Sequence, residues 1–338
     1  MPAGRAKRRR ARDLLVAAAA AAAAACLPAP AAASAPQVRT ITIHYRAHDG
    51  VRRTAYVVLP SWYRPRRDPP IPLVISPHGR GVGARANARL WGALPARGSF
   101  AVVSPDGEGR RLSRYSWGSA GQVDDLARMP VIVHLTLPWV HVDRRRIYAF
   151  GGSMGGQETL LLLARHPRLL AGVAAFDAVT DFALQYRRFP LLPCNRTCER
   201  TWNGPIGPSL RSLAQQEIGG TPATRPLAYA ERSPSTYARA IAASCVPLQL
   251  WWSVKDQIVV GQRSQSGAFF RRLVELNPRA PVVAYVGAWR HSAEMHAKAR
   301  LPAALATFGL LPALPRSWVS GLRVVAPNVA SGCLARGA

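Results

Sequence analysis

Three side chains, Ser153, Asp256 and His291 in chain order, are of the types that acyl transfer through a covalent intermediate requires. A serine hydroxyl is a poor nucleophile near neutral pH and needs a base to take its proton, with an acid to orient that base. Ser153 is the centre of Gly151-Gly152-Ser153-Met154-Gly155, between the apolar run "IYAF" and the helix-like "ETLLLLARHP". G-x-S-x-G between a strand and a helix is the pattern of a nucleophile elbow, a sharp turn that lifts the serine Oγ above a sheet. Neighbours in such a turn must lack bulk, which is the use of Gly151 and Gly155. A helix starting there also aims unpaired N–H groups at the serine, making Met154 N–H an expected oxyanion donor.

The acid and base follow in the order such a site needs. Asp256 comes just after the apolar run "LQLWWSV", and His291 follows "VVAYVG" by a short loop. Only His291 and His296 lie downstream of Asp256; His296 falls where the next helix should begin, so His291 is the expected base. Asp177 and Asp181, after the earlier run "LAGVAAF", are the alternative acids, and helix capping or a surface loop is their plainer use. The second oxyanion donor is expected from His78-Gly79-Arg80-Gly81 behind "LVISP": Arg80 N–H donates, and His78 orders the loop. Trp252, Trp289 and Phe182 are expected substrate-pocket walls, with core packing as their alternative, and Tyr186, Phe189 and Trp202 stand with Phe182. No metal site is expected, because no histidines lie near the cysteines at ligand spacing.

These residues need a scaffold that brings three loops to one edge. "VRTITIHYRAHDGVRRTAYVVLP" alternates around a turn and predicts a β-hairpin. "LVIS", "FAVVS", "IYAFGG", "LAGVAAF", "VPLQLWWSV" and "APVVAYVG" are short apolar runs of the kind buried on both faces of a parallel sheet. Helix-like segments separate them, one of them interrupted by Pro130. Alternation of this kind predicts an α/β fold, a mainly parallel sheet with helices on both faces. Residues 182–244 break the alternation; a structureless loop that long is improbable in a compact domain, so a cap or lid with short helices is expected. Residues 311–338 read as an irregular tail anchored by Cys333.

Composition narrows the class. The formal charge of +28 over 338 residues is almost all arginine, with lysine only at Lys7, Lys255 and Lys298. It is dispersed rather than gathered in a stripe, so nucleic acid is not an expected partner, whereas association with anionic surfaces is compatible with it. "MPAGRAKRRRARD", then the apolar stretch from Leu14 to Leu27, then "PAPAAASAPQ" have the layout of a signal peptide over residues 1–33, leaving a domain over 34–338. The apolar stretch is short for a membrane span. The triple arginine is a degenerate twin-arginine signal at best, and Cys26 lies in a poor lipobox. Four further cysteines in an exported chain suggest disulfides in one of three pairings: Cys194 with Cys198 in "CNRTC", leaving Cys245 for Cys333, is the expected one.

Taken together, "VISPHGRG", "VVSPDGEG", "HVDRRRIYAFGGSMGGQETLLLLARHP", "ERSPSTYARAIAASCVPLQLWWSVKDQIVV" and "WRHS" resemble the α/β-hydrolase superfamily. Within it, the chain is similar to the catalytic domain of the prolyl oligopeptidase (S9) family and its single-domain esterase relatives. The resemblance implies a Ser153-His291-Asp256 triad, no cofactor, and a small ester or short peptide as substrate. It departs from the large peptidases in having only about 40 residues ahead of "ITIHYRAHDG", which leaves no place for their β-propeller, and in Trp251-Trp252-Ser253 ahead of the acid loop. A secreted carboxylesterase is the leading expectation, an S9-like peptidase the second, and an exported binding protein on the same fold the third.

Overall fold

The computed structural model describes residues 36–64, 68–107, 116–202, 204–327 and Cys333. The expected leader over residues 1–33 and the lipobox cysteine Cys26 lie outside the described residues.

The apolar runs become strands. β1 (Val38–Arg46) and β2 (Arg52–Pro60) form the hairpin, and β3 (Ile71–Ile75), β4 (Ala101–Pro105), β5 (Val142–Gly152), β6 (Gly172–Phe176), β7 (Leu248–Ser253), β8 (Val282–Gly287) and β9 (Arg323–Val325) follow. Among the described residues they make one sheet in the order β1-β2-β4-β3-β5-β6-β7-β8-β9. β4, β3, β5, β6, β7 and β8 run parallel; β1, β2 and β9 pair antiparallel at the two edges. Every residue of β3, β4, β6 and β7 is buried, which is why these runs are apolar without alternation.

Eleven described α-helices accompany the sheet: α1 (Ala84–Arg89), α2 (Leu94–Gly98), α3 (Ala120–Thr136), α4 (Met154–Arg165), α5 (Phe182–Arg188), α6 (Arg196–Trp202), α7 (Ile206–Ile218), α8 (Pro226–Glu231), α9 (Ala238–Ala243), α10 (Ser266–Leu276) and α11 (Leu301–Thr307). Period-two alternation divides the strand side chains between two cores. Val57, Ile75, Val103, Ala149 and Val173 meet α3, α4, α9 and α10 on one face. Val58, Val74, Val102, Phe150 and Ala174 meet α1, α2 and α11 on the other. α3 passes through Pro130 without a break, contrary to the expected interruption. A proline removes one helical hydrogen bond at a cost of about 3 kcal/mol, and burial of Val123, Leu126, Met129, Ile132 and Val133 along the same helix outweighs it.

The segment expected to be a cap is helical, but it divides. α5 to α8 enclose a third core of Phe182, Tyr186, Phe189, Leu210 and Tyr229. α9 instead buries Ala238, Ile241 and Ala242 in the core shared with α3 and α4, so the end of the insertion belongs to the body. Cys194 bonds Cys198, and Cys245 bonds Cys333, the pairing expected. The tail is more regular than its sequence suggested: a 3₁₀ turn at Arg316–Val319 leads into β9, which extends the sheet beside β8.

Candidate active site

In-register pairing aligns the carboxyl ends of the central strands, with Gly152 opposite Phe176 and Ser253 opposite Gly287. The residues that follow, Ser153, Asp177, the loop to Asp256 and the loop to His291, therefore emerge along one edge, the place where open α/β sheets build their sites.

Ser153 is the residue between β5 and α4, with φ 59° and ψ −126°. For a side-chain-bearing residue that backbone conformation costs about 1–3 kcal/mol and persists only where the surroundings impose it. Here Ser153 N–H donates to Phe176 O at 2.9 Å and Ser153 O accepts from Gln157 N–H at 3.0 Å, pinning the turn on both sides. The glycines leave no room for alternatives: a Cβ on Gly151 would overlap Gly155 O, and one on Gly155 would overlap Pro77 O. Met154 opens α4, so its N–H has no acceptor within the helix. Its side chain, meanwhile, is buried in the cap core.

The 78–80 loop lies against the serine: a Cβ on Gly79 would be 3.7 Å from Ser153 Cβ. His78 orders this loop, as expected. Its Nε2 accepts from Gly107 N–H at 3.1 Å, which leaves Nδ1 as the protonated nitrogen donating to Gly79 O at 2.9 Å. Arg80, the expected second donor, follows directly in the same loop, half-buried.

His291 and Asp256 meet. His291 Nδ1 donates to Asp256 Oδ2 at 2.9 Å. The carboxylate is held from elsewhere as well: Oδ1 accepts from Ile258 N–H at 2.8 Å and Val259 N–H at 3.0 Å, and Oδ2 from Gln262 Nε2 at 3.1 Å. Gln262 is fixed in turn by Ser266 Oγ at 2.8 Å. His291 Nε2 is buried and has no hydrogen-bond partner among the described residues. The loop carrying it reaches the elbow, because a Cβ on Gly152 would lie 3.1 Å from Ser292 Oγ.

Asp177 and Asp181, the alternative acids, do other work. Asp181 caps α5, its Oδ1 accepting from Leu184 N–H at 2.8 Å. Asp177 is fully buried with φ 45°. Its Oδ1 accepts from Ser253 N–H at 2.8 Å, and its Oδ2 from Trp289 Nε1 at 2.8 Å and Ser292 N–H at 2.7 Å. Burial, together with the nearby Asp256 charge, pushes this carboxyl up to about 6 against the opposing pull of His291 and its hydrogen bonds. His296 turns to its own loop, where Nδ1 accepts from Lys298 N–H at 3.0 Å.

Of the three expected pocket walls, Trp289 stands beside the site. It lines a cleft of ≈ 740 Å³ with Lys255, Ile258, Arg290 and His291. Trp252 does not: alternation along β7 sends it into the core with Phe269 and Phe270, and Trp251 to the opposite core, stacked on Phe176 and Tyr285. Phe182 does not either. It is fully buried, stacked on Tyr229 at 5.4 Å and 5.1 Å from Trp117, and Tyr186 and Phe189 share that cap core. The side chain of Trp202 lies outside the described residues. Gln262 and Ser292 carry no signal in the sequence, because their roles depend on loop packing; Ser253, the last residue of β7, stands out in sequence only as part of Trp251-Trp252-Ser253, and its contacts depend on strand register.

No protein-family profile matches the chain, and no curated protein is significantly similar to it in sequence. Solved structures are similar in fold. S-formylglutathione hydrolase FrmB from Staphylococcus aureus superposes with a TM-score of 0.57 at 16% identity, over 81% of this chain and 99% of that one. The acylaminoacyl peptidase of Pyrococcus horikoshii gives 0.60 at 15% identity, over 83% of this chain and 44% of that one. The chain has the α/β-hydrolase fold. A ferulic acid esterase shares this fold with a TM-score of 0.55 at 17% identity, over 81% of this chain and 97% of that one. Thus the chain matches the S-formylglutathione hydrolase and the ferulic acid esterase over nearly their whole length and the peptidase over less than half of its own.

Proposed function

We propose that this α/β-hydrolase chain is a secreted serine hydrolase that cleaves carboxylic esters through Ser153, His291 and Asp256. The observation carrying the proposal is the 2.9 Å bond from His291 Nδ1 to Asp256 Oδ2, with Nε2 buried and unpartnered on a loop packed against the serine elbow. A histidine bonded to a buried carboxylate through Nδ1 presents Nε2 as the basic nitrogen.

Ser153 Oγ attacks the ester carbonyl as its proton passes to His291 Nε2, forming a tetrahedral oxyanion. Met154 and Arg80 N–H groups stabilise that charge, and Asp256 stabilises the imidazolium. Collapse expels the alcohol, which takes the proton from Nε2, and leaves Ser153 acylated. Water then gives its proton to Nε2 and attacks the acyl carbon; the carboxylic acid departs and the proton returns to Ser153 Oγ. No cofactor enters this sequence.

Ester hydrolysis is favoured over peptide hydrolysis by the near-complete coverage of the ferulic acid esterase structure, as of the S-formylglutathione hydrolase. The fold likeness to acylaminoacyl peptidase supports short peptides as the second reading. Secretion is supported by the two disulfides, which persist in oxidising compartments. The test is a paired assay of a short-chain activated ester and an alanyl or prolyl peptidyl amide, with Ser153→Ala as blank. Ester turnover that vanishes in the variant is expected. Comparable amide turnover would replace the esterase reading with the peptidase one, and no serine-dependent turnover on either would favour a binding protein.

A further inference from the structure

Asp177 is a second buried carboxylate at this site, and its three acceptor contacts converge from two different loops. Ser253 N–H comes from the end of β7; Trp289 Nε1 and Ser292 N–H come from the loop after β8 and flank His291 on both sides in sequence. Ser253 adds to the same clamp, because its Oγ donates to Trp289 O at 2.7 Å and accepts from Trp289 N–H at 2.8 Å. Carboxylate oxygens of Asp177 and Asp256 and a ring nitrogen of His291 lie within 4.8 Å of one another. A side-chain-bearing residue at φ 45° is an uncommon choice after a strand, and it aims this carboxylate inward, beneath the histidine loop, rather than to solvent.

We propose that Asp177 is a positioning residue that fixes the His291 loop against the elbow and adds a second negative charge beneath the Asp256–His291 pair. This rests on the hydrolase reading of the site. Two consequences follow from the geometry. The imidazole is placed by two independent anchors, Asp256 through Nδ1 and Asp177 through the backbone on its C-terminal side and the indole on its N-terminal side. A second carboxylate also lies beside the imidazole, its oxygen within 4.8 Å of a ring nitrogen. The charged groups facing Asp177 are Asp256 from the loop after β7 and His291 from the loop after β8. The upward displacement of the Asp177 carboxyl agrees with a group enclosed with a like charge.

Asparagine at 177 keeps the size, removes the charge, and turns an NH₂ toward at least one of the three N–H donors. The test compares the native protein, Asp177→Asn and Trp289→Phe, which removes one donor alone. Two readouts are used: the pH profile of kcat/KM on a short-chain activated ester, and the ¹⁵N NMR titration of the His291 imidazole, which needs no turnover. For Asp177→Asn, kcat should fall by about tenfold or more, as small misplacements of catalytic groups do, with KM within about twofold. Because the neutral imidazole is the active base, losing a nearby negative charge should move its midpoint, and the acid limb of kcat/KM, to lower pH by about 0.5–1 unit. Trp289→Phe should lower kcat less and leave the midpoint in place. An unchanged midpoint in a folded Asp177→Asn protein, or a rise in KM at constant kcat, overturns the proposal. Absence of ester turnover in the native protein would instead count against the hydrolase reading, while the NMR titration still decides the role of Asp177.

Discussion

Asp256 Oδ2 accepts the His291 Nδ1 proton at 2.9 Å while Oδ1 of the same carboxylate is held by the N–H groups of Ile258 and Val259. The carboxylate is thus held by groups other than the histidine, with Oδ2 shared between Gln262 and His291. Asp256→Asn should present an NH₂ to Nδ1 or to the Ile258 and Val259 amides, leaving the imidazole in the wrong tautomer. Turnover should drop by about three to four orders of magnitude, close to that of Ser153→Ala. Steady-state assays on both variants check this, with circular dichroism showing native structure retained.

The Asp177 carboxyl sets a pH dependence of stability with a definite sign. Its folded value of about 6 stands above the ordinary 3.8, so between those limits the native state keeps a proton that the unfolded chain has released. Its contribution is fully present below about pH 4 and is lost as pH rises through about 6, by roughly 3 kcal/mol at most. Urea unfolding across pH 4 to 7 should show this falling component in the native protein and not in Asp177→Asn.

Gly155→Ala tests the elbow sterically. The new methyl overlaps Pro77 O, and Pro77 immediately precedes the His78-Gly79-Arg80 loop. Stability should fall by about 1–3 kcal/mol, and kcat should fall with it because the loop carrying Arg80, the proposed second oxyanion donor, must move. Thermal unfolding and the ester assay, measured on the same preparation, check the pair of effects.

The Cys245–Cys333 bond closes a separation of 88 residues, tying the tail behind β9 to the start of β7. Replacing both cysteines with serine should cost about 2–4 kcal/mol, whereas opening Cys194–Cys198, which spans 4 residues, should cost less. Denaturant midpoints of the two double variants decide the order.

Much of this site can be read along the chain, for identifiable reasons. The buried parallel strands have to be continuously apolar, so the loops after them stand out, and Ser153, Asp256 and His291 are each the chemically distinctive residue in such a loop. Close backbone packing at the elbow forces glycine at 151 and 155, which writes the turn into the sequence. What could not be read depends on contacts between distant segments. Asp177 has the same local setting as any acid after a strand, and only the arrival of Trp289 and Ser292, more than 100 residues later, makes it an anchor for the histidine loop. Trp252 and Phe182 look like pocket walls because aromatic residues near a site serve equally as lining or as core; alternation along β7 and the cap's own need for a core decide against both. β9 is three residues long with two of them exposed, too short and too polar to announce itself before β8 pairs with it.

Met154 belongs to two structures at once. Its backbone opens the helix behind Ser153, and its side chain is embedded among the cap aromatics with Phe182 and Trp117. The cap is therefore not a detachable module: exchanging it for another would remove the packing that seats the first residue of the helix after Ser153. A substitution deep in the cap core, at Phe182 or Trp117, reaches the serine turn through the Met154 socket, without touching the turn itself.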